Sequence, residues 1–181
     1  MKKYSSIQKV KLENDVIELA RKFSIDVVST TNYSDSNQSN FTKIRDDHFI
    51  SKIGEEAVKS VLSKFYSVTG PDYSIYVGKR KSWDDDLSVD GIGVAVKTQK
   101  RTSSLRYGLS WTFQYGKFRK DTILDRPESW VFFVEYDDTV PDNICYVYPP
   151  YQIKELTFGE PKLSYLKDSK KVVYENTLPK N

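Results

Sequence analysis

The chain is poor in the residues that most often build metal centres and covalent catalytic sites. It has one cysteine and one histidine among 181 residues. Cys145 therefore excludes a disulfide within the chain, and its apolar surroundings predict a buried strand thiol rather than a nucleophile. His48 lacks the His and Cys partners of a zinc site, so we expect it at the surface or as a cap near the start of a helix.

Long apolar runs are also missing. No stretch reaches the roughly 20 residues that a membrane-spanning helix needs, and the opening MKKYSS is not followed by the apolar region of a secretory signal. Glycine-rich phosphate loops and Gly-x-Ser-x-Gly elbows are absent from the sequence. Together with the lone cysteine, these features predict a cytoplasmic protein.

The remaining composition is that of a globular domain, with 38% hydrophobic and 14% aromatic residues. We predict a single domain over residues 1–181. Its core spans about 50–150, with an N-terminal helix and polar loop over 1–46 and a peripheral C-terminal segment over 151–181. The net charge of +3, from 28 basic and 25 acidic residues, is too balanced to identify a nucleic-acid partner by itself.

Hydrophobic spacing gives a coarse order of elements. Helical periodicity predicts helices over 10–23 and 47–66, the second with a broad apolar face and Glu55 at its flank. Runs rich in β-branched and aromatic residues predict strands over 73–77, 129–136 and 144–148. Residues 29–41 and 102–106 are expected to be loops, residues 107–114 either strand or helix, and residues 151–156 a short helix.

The segment 86–99, which reads DLSVDGIGVAVKTQ, carries the clearest chemical pattern in the chain. Its Asp90-Gly91 pair is a strong hairpin signal between two apolar runs. Because strand side chains alternate, Ala95, Lys97 and Gln99 share one face of the second strand. The hairpin would place Asp86 beside residue 95 or 97 of its partner strand.

This pattern resembles the catalytic core of the PD-(D/E)XK nucleases. In that family an acid on one strand is followed, across a turn, by a strand carrying an acid, any residue and a lysine. Asp86 and Lys97 match the outer positions, whereas Ala95 stands where Asp or Glu is usual. The resemblance covers residues 50–150 and implies a restriction-endonuclease-like α/β fold, in which helices flank a mixed central β-sheet.

The missing acid has three candidate sources. Glu55 or Glu56 follows a glycine on the helix before the first core strand, as in many family members. Local carboxylates flank the hairpin at Asp84, Asp85 and Asp90. Alternatively, Ala95 is an engineered replacement of a native acid, which the sequence does not distinguish from a natural loss. Glu135 ranks below Glu55, because Asp137 and Asp138 suggest that its strand ends in solvent.

The resemblance implies a Mg²⁺- or Mn²⁺-dependent endonuclease that hydrolyses DNA phosphodiester bonds. Asp86 would bind the metal with Glu55 as auxiliary acid, Lys97 would position water or phosphate, and Gln99 would be a polar neighbour. Analogy suggests a restriction-system or phage enzyme acting as a homodimer, and the pattern does not separate DNA from RNA. The alternative is a catalytically silent nuclease-like fold that binds nucleic acid or protein.

Basic residues gather on both sides of this segment, where they would neutralise backbone phosphates. A solvated charged surface is the simpler explanation of any single cluster. Ser110, Trp111, Gln114 and Tyr115 would stack on or read bases if exposed, although packing is the simpler role for Trp111. The candidate phosphate-binding residues are Lys79, Arg80, Lys81, Lys100, Arg101, Arg106, Lys117 and Arg119.

Overall fold

The computed structural model describes residues 1–30, 40–76, 85–117 and 119–180. The fold is mixed α/β, with a seven-stranded mixed sheet, a two-stranded sheet and three α-helices in the described residues. The sequence predictions for Lys79, Arg80, Lys81 and Asp84, and for most of the polar loop, lie outside this part of the chain. Among the described residues, no helix has the length and apolar character needed to cross a membrane.

One long helix packs on the large sheet, and a second long helix packs against the first. Helix α1 spans Asn14–Val28 and helix α2 spans Phe41–Leu62. Helix α2 begins earlier than its apolar pattern predicted, because Asn40 caps it by accepting a hydrogen bond from the Lys43 backbone N–H at 3.0 Å. The predicted first helix was wrong over its first residues, since Gln8–Lys11 forms strand β1 and pairs with a strand far along the chain.

The large sheet is built around the predicted hairpin. Strands β2 (Val68–Thr69), β3 (Leu87–Val89) and β4 (Ile92–Lys100) are joined in antiparallel order, with the β3–β4 turn at Asp90-Gly91. Both turn residues have positive φ, as this tight connection requires. The predicted strand over 73–77 was wrong for residues 73–76, which form no strand.

The other half of the sheet continues from β4. Strand β6 (Trp130–Asp137) runs parallel to β4, and β7 (Ile144–Val147) pairs antiparallel with β6, as their apolar runs predicted. Strand β8 (Tyr151–Gln152) pairs with the start of β6, and a 3₁₀ turn at Ile153–Glu155 replaces most of the predicted short helix. The sheet order is β1-β7-β6-β4-β3-β2.

The crossover between β4 and β6 begins with helix α3, Arg101–Tyr107, where the sequence predicted a loop. The segment is polar and has no apolar stripe, so its helical state depends on contacts with β6. The crossover continues into β5 (Ser110–Gln114), which pairs with β9 (Lys170–Tyr174) to form the small sheet. The C-terminal segment, predicted to be peripheral, thus supplies the buried Val172 and Val173.

Two apolar clusters lie in this architecture. The first includes α1, α2 and the β4 side chains Val94 and Val96, and it contains the fully buried Cys145. The second includes the small sheet and Ala95. Trp111 is buried in it, stacked on Phe133 at 4.5 Å, and donates its indole N–H to the Val134 carbonyl. Trp111 is therefore a packing residue, which excludes it as a base-stacking platform.

Candidate functional site

Asp86 lies at the entry to β3, opposite the centre of β4. Its backbone N–H donates to the Val94 carbonyl at 3.0 Å, and its Oδ2 accepts the Val96 N–H at 2.7 Å. Because Leu87 pairs with Val94, Asp86 lies opposite Ala95, one of the two positions that the hairpin pattern predicted. Burial raises the pKa of Asp86, whereas the positive charges of Lys97 and Lys52 act to lower it. As a whole residue Asp86 is half-buried.

Lys97 reaches the same region from β4. Its Nζ donates to Asp121 Oδ2 at 2.8 Å and lies 5.1 Å from the centre of the Phe113 ring. Asp121 follows β5 and also accepts the Gln114 backbone N–H at 3.2 Å. Because Lys97 is held by an acid and an aromatic ring, its ammonium has a defined position next to Asp86.

Glu55 approaches from α2 and is buried, contrary to the predicted position at the helix flank. Its Oε2 accepts Lys52 Nζ at 2.6 Å, and its Oε1 accepts the Ser51 hydroxyl at 2.9 Å. Burial raises the pKa of Glu55 to about 7; Lys52 opposes this rise, and the negative charge of Asp86 adds to it. Of the two helix acids proposed, Glu55 is the one that interacts with Asp86, since Glu56 accepts the Tyr73 hydroxyl instead.

Gly54 explains why Glu55 comes so close to the sheet. The Gly54-Glu55 pair lies inside α2, where Gly54 is buried against Thr98 of β4. A Cβ at Gly54 would meet Thr98 Oγ1 at 1.8 Å and Thr98 Cβ at 2.9 Å. The missing side chain lets the helix backbone contact β4 and places the next residue beside the β3–β4 hairpin.

The position of the missing acid, Ala95, is buried and shares its side of β4 with Lys97, as alternation predicted. Gln99 lies further along this side, where its Oε1 accepts the Ser110 N–H at 2.9 Å. Gln99 therefore orders the start of β5. Of the two local acids in the described residues, Asp90 accepts the Ser67 N–H from the hairpin turn, and the Asp85 carboxylate lies against Gly93.

Glu135 belongs to a separate charge cluster. Arg101 donates to it at 3.0 Å and to Asp137 at 2.5 Å, and the Ser104 hydroxyl donates to Glu135 at 2.6 Å. The prediction that this strand ends in solvent was wrong for Asp137, which is buried. As a source of the missing acid, Glu135 was ranked below Glu55, and its bonds to Arg101 and Ser104 agree with that order. The reason proposed for the order was wrong.

The predicted basic residues in the described part of the chain differ in their surroundings. Lys100 is bonded to Asp46, and Arg101 is engaged by Glu135 and Asp137, so both have structural partners. Arg106 lies over the Tyr107 ring, while Lys117 and Arg119 are exposed on the turn after β5.

Of the other proposed base-contacting residues, Tyr115 is exposed, whereas Ser110 and Gln114 are half-buried. His48 was predicted near a helix start, but it lies inside α2 against Phe23.

Three site residues escaped the sequence analysis: Lys52, Asp121 and Lys170. Lys52 is almost fully buried, with its Nζ 5.2 Å from the centre of the Phe23 ring. It is one turn before Glu55, so an i,i+3 Lys-Glu search on the helix would have found this pair. Asp121 and Lys170 reach the site only through the small sheet, and no local pattern identifies them.

The acids that meet here suit a hard cation only in part. No group of three or more His, Cys, Asp or Glu side chains in the described residues is close enough together to hold a metal. Asp86 and Glu55 are nevertheless two neighbouring carboxylates, since the negative charge of Asp86 raises the pKa of Glu55. Mg²⁺ usually binds one or two carboxylates together with water and substrate phosphate. This donor set fits that minimal arrangement, although Lys52 already neutralises part of its charge.

Comparison of this chain with protein-family models, with curated proteins and with solved structures finds no match.

Proposed function

We propose that the chain is a Mg²⁺- or Mn²⁺-dependent endonuclease of the PD-(D/E)XK type that cleaves DNA. The observation that carries this proposal is the convergence of Glu55, Asp86 and Lys97 from three different elements. Asp86 interacts electrostatically with Lys97 and also with the Lys52–Glu55 pair. Such groups of interacting ionisable residues are typical of functional sites.

The order of elements supports the same proposal. Helix α2 precedes the β3–β4 hairpin, α3 follows β4, and the crossover returns to β6, which runs parallel to β4. This order of helix, hairpin, helix and parallel strand is compatible with the mixed α/β fold that the resemblance implies. Asp86 directly precedes β3, and Lys97 lies on the neighbouring strand β4, which supports the comparison with the family pattern.

In this proposal each residue has a separate role in phosphodiester hydrolysis. Asp86 and Glu55 would hold the divalent cation, which supplies charge neutralisation and a more acidic water when bound. Lys97, fixed by Asp121, donates hydrogen bonds to the scissile phosphate or to the attacking water. Gln99 maintains the start of β5 and so the position of Asp121.

Position 95 provides the sharpest test, because it is the one departure from the family motif. We expect Ala95→Glu to raise Mg²⁺- or Mn²⁺-dependent cleavage of plasmid DNA by about 100-fold or more, since a third carboxylate would complete the cation site. Cleavage is followed by conversion of supercoiled plasmid to nicked and linear forms. Thermal unfolding of each variant shows whether the buried site accepts the larger side chain.

Two further variants assign that activity. Asp86→Asn, combined with Ala95→Glu, should return cleavage to background, and Lys97→Ala should abolish turnover while leaving most DNA binding in place. Cleavage that survives Asp86→Asn would contradict the proposed cation site. If a folded Ala95→Glu protein stays inactive with both metals, the endonuclease proposal fails.

A catalytically silent nuclease-like fold is the second candidate function. Two observations favour it: Ala95 offers no oxygen ligand, and Lys52 occupies Glu55 Oε2 at 2.6 Å. In this case the chain binds nucleic acid or protein without cutting. DNA binding that is retained by both the wild type and Ala95→Glu, without cleavage in either, would support this alternative.

A further inference from the structure

Lys170 reaches the candidate site from the C-terminal segment. In the β5–β9 ladder it lies opposite Gln114, whose N–H donates to Asp121 Oδ2 at 3.2 Å. That same oxygen accepts Lys97 Nζ. Strand β9, which is distant in sequence, therefore brings Lys170 to Asp121, the carboxylate that positions Lys97.

The Lys170 ammonium is half-buried, and within the described part of the chain it has no hydrogen bond or ion pair. Burial lowers the pKa of Lys170 to about 8, and the positive charges of Arg119 and Lys97 add to this effect. Arg119 is exposed on the turn that follows β5, and its carbonyl accepts the Gly116 N–H at 2.9 Å. Lys170 thus lies near two other cations, Arg119 and Lys97, and near two acids, Asp121 and Asp47, whose negative charges oppose the fall in its pKa.

A half-buried ammonium that makes no hydrogen bond to the described residues, with two other cations nearby, favours an anion with several acceptor oxygens. A phosphate satisfies ammonium and guanidinium donors together and replaces part of the water that burial removes. The neighbouring Lys171 is also half-buried, but it differs in its face and in its partner. It lies on the opposite face of β9, and its ammonium is bonded to Glu160 at 2.6 Å.

We propose that Lys170 and Arg119, together with Lys97, bind a phosphate group of the DNA backbone beside the candidate catalytic site. This inference rests on the proposed function and assigns its substrate-positioning residues. The phosphate held here would be the scissile group or its neighbour, and it would fix the register of the strand relative to Asp86. Lys170 is a binding and positioning residue in this scheme.

The test compares Lys170→Gln with Lys171→Gln, which remove the same charge from adjacent positions on opposite faces. Binding of a fluorescent DNA duplex is measured by anisotropy across a series of NaCl concentrations, in EDTA so that no cleavage occurs. We expect Lys170→Gln to weaken binding by at least about 3-fold and to reduce the salt slope by about 1. Lys171→Gln should leave the slope unchanged, and Arg119→Gln should act like Lys170→Gln.

A second arm separates backbone phosphate from free phosphate. Thermal unfolding is recorded with inorganic phosphate and with chloride at equal ionic strength for the same variants. The assignment to nucleic acid would be overturned if inorganic phosphate stabilises the wild type, this stabilisation is lost in Lys170→Gln, and the wild type binds no DNA. Equal changes in Lys170→Gln and Lys171→Gln, or no change in either, would overturn the site itself.

The outcomes also separate this inference from the proposed function. Lys170-dependent binding without cleavage in Ala95→Glu would retain the phosphate site and reject the endonuclease. Cleavage by Ala95→Glu with unaltered DNA binding in Lys170→Gln would retain the endonuclease and reject the phosphate site.

Discussion

A single residue without a side chain determines how near Glu55 comes to the β3–β4 hairpin. Glycine inside a helix costs about 1 kcal/mol relative to alanine, so Gly54 weakens the isolated helix. The close contact with Thr98 is the physical reason for it. Thr98 Oγ1 is itself buried without a hydrogen-bond partner in the described structure, so this contact has a second cost.

Gly54→Ala should therefore destabilise the protein despite its better helix propensity. We expect a loss of about 1–3 kcal/mol in the free energy of unfolding, because the new Cβ overlaps Thr98. Urea denaturation measures this change. Thr98→Ala removes the nearest contacts, so the double variant should lose less than the sum of the two single losses. Additive losses would show that the close approach is not the reason for the glycine.

At the scale of elements, helix α3 shows where local pattern is insufficient. Its segment has no apolar periodicity, and no buried residue was found on it. Contacts with β6 hold it: Thr102 donates its N–H to Asp138 at 2.9 Å, and Arg101 bonds to Glu135 and Asp137. The helix is thus anchored by its first turn to acids more than thirty residues away, which no sequence window can include.

Arg101→Met should destabilise the protein by about 1–3 kcal/mol near neutral pH, because it leaves two buried carboxylates without their cation. Burial raises the pKa of Asp137, but the Thr139 hydrogen bonds and Arg101 outweigh burial and leave it below the ordinary value. A lowered acid pKa stabilises the fold above the unfolded pKa and loses this effect as the pH falls through the folded pKa. The defect should therefore shrink in acid.

Urea unfolding at neutral and acidic pH measures this difference. Arg106→Met is the matched control, since Arg106 lies on the same helix and contacts the Tyr107 ring. An equal loss in both variants, or a loss independent of pH, would show that the Arg101 ion pairs do not anchor α3.

For the whole molecule, the candidate site makes folding depend on pH. Glu55 is buried between Lys52, Ser51 and the charge of Asp86, and its pKa rises from 4.5 to about 7. Because the pKa of Glu55 is raised in the folded state, the folded protein holds the Glu55 proton more tightly than the unfolded chain does. The resulting stabilisation is complete below about pH 4.5 and is lost as the pH rises through about 7.

Glu55→Gln should remove this dependence. Measured by urea unfolding in EDTA, the wild type should lose about 1–3 kcal/mol relative to Glu55→Gln between about pH 4.5 and 7. Glu56→Gln removes the adjacent carboxylate and serves as the control for a lost negative charge on α2. Parallel pH curves for the wild type and Glu55→Gln would mean that the Lys52 ion pair fully offsets the burial of Glu55.

The sequence alone determined the parts of this protein that depend on neighbouring residues. The Asp90-Gly91 turn and the alternation in β4 identified the hairpin, the side of β4 that carries Ala95 and Lys97, and the position of Asp86. The apolar runs identified β6 and β7 because those strands are buried along most of their length. Glu55 was identified through its Gly-Glu pair, although its burial was not.

Only the tertiary structure decided what surrounds these residues. Asp121 and Lys170 come from segments whose own patterns carry no chemical signal, and the β5–β9 pairing brings them to Lys97. Helix α3 forms because distant acids satisfy its first turn, and Glu55 is buried because Gly54 lets α2 contact β4. Burial and charge pairing between distant segments depend on the folded chain, whereas hairpin turns and strand alternation depend on adjacent residues.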